Sequence, residues 1–310
     1  MQIENLSVEF RTFTDVVKAV NGISYSLASG QTLAILGESG SGKTVSSLAT
    51  LGLLESPPAK ITSGRILYRD LNLLEISARK WREIRGEKIA MIFQDALSSL
   101  NPVYPVGEQI AEMYRMHRGL GRSEAKKRAL EMLERVHIPS ATKRFNDYPH
   151  QFSGGMRQRV MIAVAIALDP EILIADEPTT ALDVTVQAQV MELLKELQNE
   201  TGMSVVLITH DLGVVAEVVE SGPIEQVFSA PAHPYTLGLL QSIPSAKRKV
   251  EQLHPIRGAP PNLGAIPVGC PFHPRCDYRE DKCRSEMPEL RWVATGRKSA
   301  CHFAERILDD

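Results

Sequence analysis

Apolar and polar positions alternate along residues 2–36, with β-branched residues on the apolar beat. This pattern predicts strands at Gln2–Arg11, Lys18–Leu27 and Thr32–Leu36. An apolar run of helical character, Val45–Leu54, comes next, then strands at Gly64–Tyr68 and Lys88–Gln94, the latter ending in a polar amide. The period lengthens to that of a helix over Val106–Arg118 and Ser123–Val136, with Ser123 as the expected N-cap, and again from Ser153 to Leu168. Buried-type strands at Glu171–Ala175 and Val205–Thr209 flank a helix at Ala188–Glu200. From about Gly222 prolines become dense and periodicity fades, and all four cysteines fall after residue 269. The chain therefore reads as one large α/β domain followed by a small, loop-rich C-terminal module.

Composition adds limits. With 310 residues and 43% hydrophobic residues the chain can bury an adequate core, and a net charge of −2 gives no support for nucleic acid as its partner. The longest apolar run, Val160–Leu168, is far short of the ~18–20 residues that span a bilayer. The start, Met-Gln-Ile-Glu-Asn, lacks the basic and apolar regions of an export signal, so the chain is expected in the cytoplasm; work at a membrane would require docking on other subunits.

The sharpest chemical signal lies between the third strand and the first helix. Gly37-Glu38-Ser39-Gly40-Ser41-Gly42-Lys43-Thr44 fits G-x-x-x-x-G-K-[ST] at every fixed position. Its glycines let successive backbone N–H groups face a phosphate chain, Lys43 adds a point charge, and the Thr44 hydroxyl can ligate Mg²⁺. Ile172–Asp176 followed by Glu177 is an apolar strand ending in two carboxylates: Asp176 suits the Mg²⁺ shell and Glu177 suits polarising a water at the γ-phosphate. Ser153-Gly154-Gly155 ahead of an apolar helix forms a second anion-binding helix N-terminus. One chain cannot easily bring both termini to one phosphate, so a second copy of the domain is expected to complete the site.

The set resembles the ABC-transporter ATPases: the phosphate loop, Gln94 ending a strand, Ser153-Gly154-Gly155, Asp176-Glu177, Ala181-Leu182-Asp183, and His210 after Val205–Thr209. The resemblance implies a P-loop NTPase cassette with a RecA-like core and antiparallel-β and α-helical subdomains, and ATP between two cassettes packed head to tail. It further implies that Gln94 senses metal and γ-phosphate, that His210 contacts the γ-phosphate, and that Asp183 crosses the dimer interface. Phe10, with Phe13 as alternate, would stack on adenine. Met156 stands where many members have Gln, at a position that is no phosphate ligand.

Longer strings narrow the resemblance to the dipeptide/oligopeptide-import branch: Phe93–Pro102, Tyr148–Ala163, Ala175–Thr185 and His233-Pro234-Tyr235-Thr236. The branch implies an ATPase domain over 1–250, with a helical part at about 95–165, and a Cys-rich module over 251–310. It implies as partners a second ATPase subunit, a paralogue by preference, two membrane permease subunits and an extracytoplasmic solute-binding protein, at the cytoplasmic face of the inner membrane. Peptides lead as solute, with nickel and glutathione as alternatives. A soluble ABC ATPase of DNA repair or translation is the rival class, although tandem cassettes and coiled-coil insertions are missing.

Cys270, Cys276, Cys283 and Cys301 are spaced C-x5-C-x6-C-x17-C. Without an export signal disulfides are disfavoured, and spacing alone leaves a Cys₄ zinc site and a [4Fe–4S] cluster open. The resemblance implies the cluster. One departure stands out: Val218-Val219 joins two segments that the family separates by two short strands, so roughly a dozen residues, about two strands of ~5, are missing. The expectation is a stretch absent from the sequence as given; a real deletion would remove support behind His210 and put ATP turnover in doubt.

Overall fold

Strand β1 (Gln2–Arg11) pairs antiparallel with β2 (Val16–Ser26) on one side and with β4 (Ala59–Tyr68) on the other, and β4 turns back into the short β5 (Leu71–Asn72). These pairings come from a computed structural model that describes residues 1–12, 15–36, 42–95, 99–180, 182–209, 219–242, 256–258 and 267–309. The inward beat of β1 changes parity, from Ile3 to Leu6 and Val8. Register shifts on both of its neighbours and a left-handed Asn5, φ 47°, absorb the change. Strand β4 begins five residues before the expected Gly64, because Ala59, Lys60 and Ile61 pair with Phe10, Glu9 and Val8. That part of the strand is set by its partner more than by its own pattern.

A second sheet is wholly parallel, in the order β3 (Thr32–Leu36), β8 (Ser204–Thr209), β7 (Ile172–Asp176), β6 (Ile89–Ile92). Its strands send alternate residues into two cores. Ile89, Met91, Ile172, Ile174, Val206 and Ile208 join the antiparallel sheet and the helix Lys43–Thr50 in one cluster. Ala90, Ile92, Leu173, Ala175 and Val205 join the helices Val106–Arg118, Arg122–Arg135, Gly154–Ile166 and Val184–Thr201 in the other. A sheet covered on both faces needs near-continuous apolar strands, as these are. Glu171, just before β7, accepts from the Tyr68 hydroxyl at 2.7 Å and pairs with Arg69 and Lys88, pinning the antiparallel sheet to the parallel one.

Helix Val106–Arg118 has the expected bounds, and Ser153 caps Gly154–Ile166 by accepting from the Met156 N–H at 3.4 Å. Ser123 is not a cap: its helix starts at Arg122 after Gly121, which caps without a side chain. Asp183 starts the helix at Val184, four residues earlier than its apolar pattern suggests. In the C-terminal part, β10 (Arg291–Ala294) and β11 (Arg297–Ser299) form an antiparallel sheet with β9 (Glu220–Ser221), in the order β10-β11-β9. No helix among the described residues is long and apolar enough to cross a membrane.

Candidate functional site at the carboxyl ends of the parallel strands

Parallel register aligns Leu36 with Thr209 and Asp176 with Ile208, so β3, β7 and β8 all release the chain along one edge. In open α/β sheets this carboxyl edge is where ligands bind. Gly42 sits there as N-cap of the helix Lys43–Thr50, with φ 84°. A Cβ at Gly42 would run into the backbone carbonyl of Ala19, so the position accepts only glycine. Lys43 is buried at the helix start, and Tyr25 bolts β2 to the same helix through Thr50 and Ser46.

Asp176 and Glu177 are both buried. Burial raises the Asp176 carboxyl above its ordinary value, and neighbouring Glu177 adds to the rise; a hydrogen bond from Thr44 and the charge of Lys43 act against it. Its Oδ1 is buried and has no hydrogen-bond partner. A buried carboxylate beside the Thr44 hydroxyl, with one oxygen orphaned, is a donor set that a hard divalent cation would complete. Glu177 holds φ 48°, a backbone conformation costly for a non-glycine residue, and its N–H is bonded to the Ile208 carbonyl at 2.8 Å. Gln94 Nε2 and Thr180 Oγ1, the latter at 3.1 Å, both donate to Glu177 Oε2. Two donors on one oxygen fix the carboxylate plane, and with it the direction of Oε1.

The expected site residues therefore divide into groups. Gly42, Lys43, Thr44, Gln94, Asp176 and Glu177 come together at the carboxyl edge. Gly37, Ser39, Gly40, Ser41, His210 and the alternate Phe13 lie outside the described residues, as does the Val218 side of the Val218–Val219 junction. Phe10 is half-buried, opposite Val17 and Ala59, and packs on the apolar core between the sheets. Ser153, Gly154 and Gly155 start a helix on the other core. There a Cβ on Gly155 would lie 2.5 Å from Val186 Cγ1, and one on Gly154 would lie 3.4 Å from Leu182 Cδ2. Asp183 is exposed and caps its own helix, accepting from the Val186 N–H at 3.0 Å.

Thr180, which donates to the Glu177 carboxylate at 3.1 Å, is a residue of this cluster that sequence reasoning missed. Its signal was available: three residues after Glu177, its N–H bonds the Glu177 carbonyl at 3.1 Å in a tight turn, which turns its hydroxyl back onto the carboxylate.

In the C-terminal part the four cysteines are reduced thiols that line one small cavity of about 10 Å³. Burial pushes the Cys276 thiol up to about 12 and Cys301 to about 11, and the neighbouring cysteines add to both rises. Among the described residues no group of three or more His, Cys, Asp or Glu side chains is placed to hold a metal ion.

A family model described as ABC transporter matches residues 20–180, and one described as Oligopeptide/dipeptide transporter, C-terminal region, matches residues 219–283. The chain is 46% identical to the Dipeptide transport ATP-binding protein DppD of Escherichia coli, covering 100% of this chain and 97% of that protein. It is 48% identical to DppD of Bacillus subtilis, covering 93% and 90%. The first alignment spans 322 positions, twelve more than the 310 residues here, a difference of the same size as the gap expected at Val218–Val219. The dimeric post-hydrolysis structure of the ATP-binding cassette MJ0796 bound to ADP and Pi superposes with a TM-score of 0.62 at 30% identity, covering 70% of this chain and 95% of that one.

Proposed function

The chain belongs to the ABC transporter family, and on that premise we propose that it is the ATP-hydrolysing subunit of a peptide-class importer. The observation that carries the chemistry is the convergence of Gly42-Lys43-Thr44 with Asp176, Glu177 and Gln94 at one strand edge. The start of the helix Lys43–Thr50 would hold the phosphates through its N–H groups and the Lys43 ammonium. Thr44 and Asp176 would hold Mg²⁺, which when bound neutralises phosphate charge. Glu177, oriented by Gln94 and Thr180, accepts a hydrogen bond from the attacking water and aligns it. Glu177→Gln should bind ATP normally and hydrolyse it at a small fraction of the parent rate, a loss of about 10²–10⁴-fold for a removed general base. Near-parent turnover, measured in a complex whose other site is disabled, would sink this assignment.

The remaining roles are of the same kind. Ser153, Gly154 and Gly155 would present their helix N-terminus to the nucleotide of a second cassette, with Asp183 at that interface and a paralogue as the preferred partner. His210 and the phosphate-loop residues 37–41 would complete the γ-phosphate contacts, and Phe10 or Phe13 would stack on adenine. Two permease subunits and a solute-binding protein would complete an importer with this chain at the cytoplasmic face of the membrane. The ATPase domain spans about 1–250, with its helical part at about 95–165, and the Cys/Pro-rich module comes after it; pairing of β9 with β11 supports starting that module nearer residue 219.

The four cysteines would hold a [4Fe–4S] cluster. The four thiols line one cavity together with His233, His273 and His302 and no carboxylate, and thiolates are the soft donors that iron–sulfur clusters and zinc take. Protein purified without oxygen should be brown and carry about four irons per chain; one zinc in colourless protein would assign the site to zinc.

A further inference from the structure

The His233-Pro234-Tyr235-Thr236 run takes no part in the nucleotide site, yet His233 and Tyr235 are among the most buried residues of the C-terminal part. The four cysteines reach their common cavity by two separate routes. Cys270, Cys276 and Cys283 form one local unit: the Cys270 N–H bonds the Cys283 carbonyl at 2.8 Å, the His273 N–H bonds the Cys270 carbonyl at 2.9 Å, and the Cys276 N–H bonds the His273 carbonyl at 3.4 Å. Cys301 arrives from the end of β11, on a separate stretch of chain. No bond within the first unit reaches Cys301; on the exposed side the two stretches are tied by the His302 ring to the Glu286 carbonyl at 3.0 Å and by Arg306 to Glu280 at 3.2 Å.

His233 touches both routes. Its Nδ1 accepts the Tyr235 N–H at 3.1 Å, which makes the imidazole neutral with its proton on Nε2, and the ring is further hydrogen-bonded to the backbone of Ala300, the residue before Cys301. Ser299 Oγ donates to the Ala232 carbonyl at 2.8 Å, a second tie between the same two segments. On its other side the ring packs on Phe272, at 6.0 Å between centroids, and Phe272 lies between Cys270 and Cys276. Tyr235 packs edge-on against the same Phe272 at 5.0 Å. His233 itself lines the cavity with the four cysteines.

We propose that His233 is a positioning residue for the cysteine centre, holding Cys301 in reach of the other three through its hydrogen bond to Ala300 and its tilted packing on Phe272. With both nitrogens committed to the backbone, it is a brace rather than a metal ligand. The role of the brace rests on the four-thiol metal reading, but its geometry does not, and the test separates the two.

In the full chain stripped of metal, each thiol is labelled with iodoacetamide and the four rates are read by peptide mass spectrometry. His233→Phe keeps an aromatic ring against Phe272 and deletes both hydrogen bonds. It should raise the Cys301 rate about tenfold, the change that loss of one buried hydrogen bond, the one to Ala300, makes in a local opening equilibrium, and leave Cys270, Cys276 and Cys283 within twofold. His233→Gln, whose amide can still donate to Ala300, should restore most of the protection. Ser299→Ala, a milder cut in the same staple, should act in the same direction. All four rates rising together, or none changing, overturns the proposal. Iron, sulfide and zinc are then measured on anaerobically purified protein. Parent protein holding no metal overturns the metal reading and leaves the brace standing, whereas metal retained equally by parent and His233→Phe under chelator overturns the positioning role.

Discussion

Gly155→Ala separates two reasons for glycine at the start of the helix Gly154–Ile166: close approach of a phosphate, as proposed, or close approach of the chain's own Val186. An added Cβ would sit 2.5 Å from Val186 Cγ1, about 1–1.5 Å inside the ~3.5–4.0 Å at which carbon atoms rest, so something must move. The valine cannot swing aside cheaply, because a β-branched residue in a helix has one strongly preferred χ1. Overpacking of this size costs about 1–3 kcal/mol, and the alanine regains at most ~1 kcal/mol of helix propensity over glycine. A net loss near 1 kcal/mol should lower Tm by about 2–4 °C in calorimetry of the nucleotide-free chain. Val186→Ala removes the clashing methyls, so Gly155→Ala/Val186→Ala should be more stable than the two single losses imply, with a coupling of about 1–2 kcal/mol. If Gly155→Ala unfolds with the parent, or if the pair is simply additive, packing on Val186 is not what the glycine serves. In that case the phosphate of a partner cassette remains its sole rationale. If the coupling is found, the same double variant, restored in stability, can be assayed for ATPase activity in the assembled complex to read the ligand role by itself.

The raised Asp176 carboxyl costs the folded state stability; this cost sets in as pH rises above the ordinary value of 3.8 and is fully present above the folded-state value. Asp176→Asn should therefore raise the thermal stability of the nucleotide-free chain at pH 7 but not at pH 3, while abolishing stabilisation by Mg²⁺ with ATP. Gly42→Ala, which places a Cβ on the Ala19 carbonyl and forces a left-handed residue, should lose ATP affinity in equilibrium dialysis; unchanged affinity would contradict the assigned cradle. Arg297 and Glu220 form a buried ion pair at 2.7 Å that joins β11 to β9. Removing one partner, as in Arg297→Met, should cost about 3–5 kcal/mol in the C-terminal part, seen as early loss of hydrogen-exchange protection there while residues 43–50 stay protected. Thr180→Val should lower kcat by a modest factor without changing ATP affinity, since it loosens Glu177 and leaves Gly42, Lys43 and Thr44 untouched.

The nucleotide chemistry of this protein was legible in its residues because it depends on short, contiguous runs. A G-x-x-x-x-G-K-T string names its phosphate chemistry by residue type and spacing, and an apolar strand ending in Asp-Glu announces its own polarity. Helix bounds such as Val106–Arg118 and the cap at Ser153 were likewise local matters, decided by apolar spacing and one hydroxyl. What depends on partners distant in the chain was not legible. The first half of β4 is a strand because Phe10, Glu9 and Val8 pair with it, and its own residues do not declare it. Gly155 is confined by Val186, thirty-one positions away, and Glu177 is oriented by Gln94, eighty-three positions before it. The cysteine spacing named a donor set and left its assembly open, because Cys301 is carried by a strand whose neighbours lie near residues 220 and 233. Local sequence sets the backbone conformation of a few residues at a time. Which side chains face one another across the molecule is decided only when the two cores close around the parallel sheet, and the carboxyl edge of that sheet becomes a site only then.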